Sequence, residues 1–141
     1  MKLTIIKNHY PKTASWIESN IKKGKLNPKV WSAFVKYSEL GASNANLALT
    51  KGHNPEIYTK PMSNAYGQFS GTSNENRIFL STSLCNRFEA SNGKNSTLNL
   101  LLQATLLHEM VHWGDWKDGK DQAGEEGANF ERAAYGRVIY G

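Results

Sequence analysis

Residues 98–113, LNLLLQATLLHEMVHW, set the strongest limit on how this chain can fold. They contain no proline or glycine. Ser96 or Thr97 is placed to cap their start, and Gly114 follows their end, so they read as one helix. Leu101, Leu102, Leu106 and Met110 give it apolar faces that other elements must cover. Late in this helix stand two histidines, His108 and His112, with Glu109 beside the first.

On a helix, residues four apart lie on one face, one turn from each other. Leu101 and Thr105 lead along that face to His108 and His112. Two imidazoles so placed can hold one metal ion from the same side. Zinc suits them because it accepts nitrogen ligands in a tetrahedral shell. A carboxylate next to the first histidine can reach a water on the metal and act as general base. That is the mechanical content of His-Glu-x-x-His. One zinc per chain is the cofactor this pattern implies.

Catalytic zinc usually takes three protein ligands and a water. The acids downstream are Asp115, Asp118, Asp121, Glu125, Glu126 and Glu131, whereas His9 and His53 lie far upstream. In the last helix, Ala123, Gly127, Phe130, Ala134, Tyr135 and Val138 draw the apolar face. Glu131 lies near its centre, where a buried carboxylate must be paired or metal-bound. Glu131 is therefore the expected third ligand, and Glu126, at the edge of the stripe, is the alternative. Gly127 would let the two helices approach closely. Asp115, one turn beyond His112, can hold a ligand imidazole from behind. Tyr135 can donate to an oxyanion, or serve as a core aromatic.

The rest of the chain supplies a small α+β domain, expected as one unit over residues 1–141. LTII reads as a short strand stopped by Pro11. KTASWIESNIKKGK reads as a helix capped by Thr13 or Ser15 and stopped by Gly24. NPKVWSAFVKYSEL reads as a helix with Asn27 as N-cap and Pro28 at its first position, ended by Gly41. Residues 41–75 are rich in Gly, Asn, Ser and Pro and read as turns, with one strand in PEIYTKP and another in NAYGQFSGTSNEN. NRIFLSTSL reads as a strand just before the histidine helix, placed to take up a peptide by strand addition. GDWKDGKDQAG is a polar loop, and EEGANFERAAYGRVIY a closing helix.

Composition excludes several classes. One cysteine, Cys85, forbids an internal disulfide and a cysteine-built zinc finger, and it reads as a small buried apolar group. The first residues are too short and polar for a signal peptide, and no run approaches a membrane span, so a soluble chain is expected. The net charge of +5 comes from scattered lysines. That reads as a basic soluble surface, with nucleic-acid binding by a non-enzymatic module as the rival.

IFLSTSLCNRFE, LLLQATLLHEMVHWGDWKDG and EEGANFERAAYG together resemble the zincin-like metallopeptidase domains of bacterial polymorphic toxins, including type VI secretion effectors. The resemblance covers roughly residues 76–136. It implies a compact zincin fold with N-terminal helices, a small sheet, the histidine helix and a glutamate-bearing last helix. It implies zinc on His108, His112 and a downstream glutamate, with Glu109 as base. It further implies a protein or peptide substrate, delivery into another cell by a specialised secretion system, and a cognate immunity protein.

Overall fold

Asn95 starts the histidine helix, because its side chain accepts the Leu98 N–H at 3.0 Å. The expected caps, Ser96 and Thr97, instead lie inside the first turn. The computed structural model describes residues 1–71, 75–118 and 126–139. Its elements in chain order are α1 (Thr4–His9), α2 (Pro11–Asn20), α3 (Pro28–Ser38), α4 (Gly41–Ala48), β1 (Glu56–Lys60), β2 (Gly67–Phe69), β3 (Arg77–Ser81), α5 (Thr82–Ser91), α6 (Ser96–Lys117) and α7 (Glu126–Tyr135). This is the α+β class read from the sequence.

The histidine helix, α6, is the axis of the molecule. From Ala104 to Val111 every residue except His108 is buried, so packing covers this stretch almost all round. α3 and α7 lie against α6 and against each other, and β2, β3 and α5 also pack on α6. The sheet order is β1-β3-β2, with β1 parallel and β2 antiparallel to β3. Ile57 on β1 stands opposite Ile78 on β3, and both are fully buried with Leu80. The core runs unbroken from Met1 to Ala134.

Several local expectations are corrected. LTII is not a strand: only Lys2 pairs, through a bridge to Glu56, and Thr4 opens a helix. Leu3 and Ile6 are buried while Ile5 is exposed, which is helical spacing rather than alternation. Pro11 stops no strand but opens α2, where its missing N–H costs nothing. Thr13 does not cap α2. Its N–H and hydroxyl both donate to Glu89 on α5, at 2.5 and 2.8 Å. α2 ends at Asn20, short of Gly24.

Asn27 caps α3 as expected, with Pro28 at its first position. The helix ends at Glu39, in the left-handed region at φ 59°, and not at Gly41. Gly41 begins α4, in a stretch the composition marks as irregular. The NRIFLSTSL strand stops at Ser81, whose hydroxyl accepts the Leu84 N–H at 3.1 Å and so starts α5. α5 therefore separates the strand from the histidine helix, and β3 is the central strand rather than an edge. Cys85 is buried on α5, and burial pushes its thiol up to about 12. α6 runs past Gly114 to Lys117. α7 stops at Tyr135, where Gly136 takes a positive φ of 79°, a common helix ending.

Candidate active site

Two faces of α6 matter here. Thr105 and Glu109 face β2. His108 faces α7, with His112 one turn further on.

Gly67 opens β2. A Cβ built on it would stand 2.8 Å from Thr105 Cγ2 and 3.0 Å from Glu109 Cγ. Only glycine lets the strand lie this close, as a glycine inside a strand often does. Glu109 is consequently 5% exposed. Gly127 does the same work on the other side: a Cβ there would collide with Nε2, Cε1 and Cδ2 of His108. The glycine thus lets the α7 backbone pass close beside the His108 ring. The close helix approach expected at Gly127 is thus present.

Glu131 follows one turn later on α7, with no exposed surface. Its Oε2 lies 2.6 Å from His108 Nδ1, and its Oε1 accepts the Ile139 N–H at 2.7 Å. A carboxylate on Nδ1 fixes the imidazole tautomer, with the proton on Nδ1 and the lone pair on Nε2. The His108 and His112 ring centroids are 5.0 Å apart, with the planes at 63°. Glu126 begins α7 beside Gly127 and is half-buried. Asp121 and Glu125 lie outside the described residues.

The Trp-Gly-Asp that follows His112 anchors this helix. Trp113 is buried, and its indole N–H donates to Asn76 at 3.2 Å. Gly114 admits the end of α3, since a Cβ there would stand 2.6 Å from the Ser38 carbonyl oxygen. Asp115 is buried beside Glu39, the residue that ends α3. Hydrogen bonds with Asp118 and Asp115 push the Glu39 carboxyl up to about 7. The Tyr135 hydroxyl donates to Gln103 at 2.8 Å, and burial raises its pKa. Tyr135 is thus tied to α6 and packed against the core.

Two imidazoles a turn apart, one of them held through Nδ1, form a donor pair that suits a divalent ion of the zinc type. Among the described residues, no three His, Cys, Asp or Glu side chains are already gathered as a metal shell. The pair fits the group.

The sequence profile of a family described as metallopeptidase toxin 3 matches residues 6–136. This chain belongs to that family. The match reaches almost to the N-terminus, so α1 to α4 belong to the family pattern along with the region from residue 76 that carried the resemblance. Membership makes the chain a metallopeptidase toxin domain. It implies a metal ion and a protein substrate, and it stands against the nucleic-acid-binding rival. No curated protein and no solved structure matches the chain. Among the described residues no helix is long and apolar enough to cross a membrane.

Sequence reasoning missed Gly67 and Glu39. Gly67 had a signal, a glycine within a strand-like run. Glu39 had none, because its approach to Asp115 depends on how α3 crosses α6.

Proposed function

We propose that this chain is a zinc-dependent endopeptidase that acts as a toxin on proteins of another cell. The observation that carries the reading is the bond between Glu131 and His108 Nδ1. It fixes the tautomer and orientation of one imidazole beside the other, next to a buried Glu109. His108 and His112 would hold the ion. With both Glu131 oxygens already accepting hydrogen bonds, Glu131 is read as the residue that aims His108, and Glu126 as the third ligand.

When bound, zinc supplies Lewis acidity to the scissile carbonyl and lowers the pKa of water. Glu109 takes the proton from the attacking water and later passes it to the leaving amine. Gly67 lets β2 pack against the Glu109 side chain, so little of it is exposed. Glu131 keeps the His108 proton on Nδ1. The toxin character of the family supports delivery by a secretion system and neutralisation by an immunity protein in the producing cell. The full span of residues 1–141 is read as one domain.

The test is metal content by plasma mass spectrometry, alongside cleavage. The parent should carry about one zinc per chain. Glu109→Gln should keep zinc and lose cleavage. Glu126→Ala should lose zinc, and Glu131→Ala should weaken its binding about 10–100-fold. A parent that takes up no zinc, or a Glu109→Gln variant that cleaves like the parent, would overturn the reading.

A further inference from the structure

We infer that Phe69 and Trp116 form the wall that selects the substrate side chain beside the scissile bond, and that it favours a large apolar residue. The inference rests on the peptidase reading above and names the substrate class for that site.

Successive residues of a strand point to opposite faces, so residues 67 and 69 share one. Gly67 faces Thr105 and Glu109 on α6. Phe69 therefore faces α6 too, and its ring meets Trp116 edge-on, with centroids 6.0 Å apart and planes at 67°. Trp116 lies one turn beyond His112 and two turns beyond Glu109 along the helix. The line from Glu109 past His112 thus ends at two aromatic rings, where β2 meets α6.

The rings are held and only partly covered. Gly71 lies directly under the Trp116 indole, where a Cβ would collide with Nε1 and Cδ1. Phe69 leans on the main core. Both rings remain half-buried, so each keeps part of its surface open to a ligand. A fixed aromatic wall of this kind favours an apolar side chain by burying it, and a charged one loses hydration there. β2 is an outer strand of the sheet, so a peptide extended along it would bring alternate side chains towards this wall.

The test uses the zinc-loaded full chain and a peptide library made by tryptic digestion of a bacterial proteome, with cleavage sites mapped by mass spectrometry. Parent cleavage sites should be enriched in Phe, Tyr, Trp, Leu or Met within two residues of the cut, and Glu109→Gln should yield none. Phe69→Ala and Trp116→Ala should erase the enrichment. On synthetic peptides varied at that position, they should lower kcat/KM for the Phe peptide about tenfold or more, mainly through KM, with the smallest loss for the Ala peptide. Trp116→Phe and Phe69→Leu, which keep the fold under milder change, should restore part of the preference. Glu109-dependent cleavage with the same preference in parent and variants would overturn this inference alone. Absence of Glu109-dependent cleavage in the parent would overturn the peptidase reading and this inference with it.

Discussion

A methyl group at residue 127 would land on the His108 imidazole. Either the His108 ring turns aside or the helices separate, and both disturb the bond from Glu131 to Nδ1. Gly127→Ala is therefore expected to destabilise the chain by about 1–3 kcal/mol, the usual cost of overpacking, and to weaken zinc retention. Urea unfolding and metal analysis of the variant would check both. An equally stable, fully loaded Gly127→Ala would mean that α7 does not sit this close. The histidine pair and Glu109 were legible in the sequence, because chemistry and helical spacing coincide there. The burial of Glu131 was legible too, from its place in the apolar stripe. Its bond to His108 was not, since a stripe says that a carboxylate needs a partner without naming the partner.

Elements with both a stripe and a cap were read well. Asn27 and Pro28 announce α3, and the apolar run of α6 announces itself. α4 was missed because its buried residues are the small Ala45 and Ala48, which leave little stripe to see. α5 was missed because Ser81 is both the last strand residue and the helix cap, so no turn residues separate the two. The junction of α3 with α6 carries a pH dependence. The Glu39 carboxyl has its pKa raised from 4.5 to about 7 by hydrogen bonds with Asp118 and Asp115. The folded chain thus binds more protons than the unfolded chain between those values, and stability falls as pH rises through that window. Below it, the protonated carboxyl hydrogen-bonds its neighbours. Above it, three carboxylates repel. Glu39→Gln should flatten this part of the profile, leaving stability less dependent on pH between about 5 and 7. Thermal melts across that range compare the two proteins directly, and parallel profiles would show that Glu39 does not titrate there.

At the scale of the whole molecule, the first sixty residues hold ten lysines and three glutamates, while residues 61–141 hold seven basic and nine acidic residues. The positive balance therefore belongs to the half of the sequence that lacks the histidine pair. A metal bound only by the folded chain also adds to its stability. At a hundredfold excess over Kd the gain is about 2.7 kcal/mol. Zinc should raise the Tm of the parent, chelation should lower it, and His108→Ala should respond to neither. A melting temperature indifferent to zinc would mean that the folded chain does not hold it.

The hydrogen bonds of Glu131 have a consequence in time. A ribosome makes His108, Glu109 and His112 well before the carboxylate that aims His108, and the Ile139 N–H that holds that carboxylate comes later still. A growing chain that has reached residue 126 therefore owns both imidazoles and Glu109, but lacks the carboxylate that hydrogen-bonds the first imidazole. For the cell that makes it, the proposed site comes into being only once residues 127–139 have been added and have folded back.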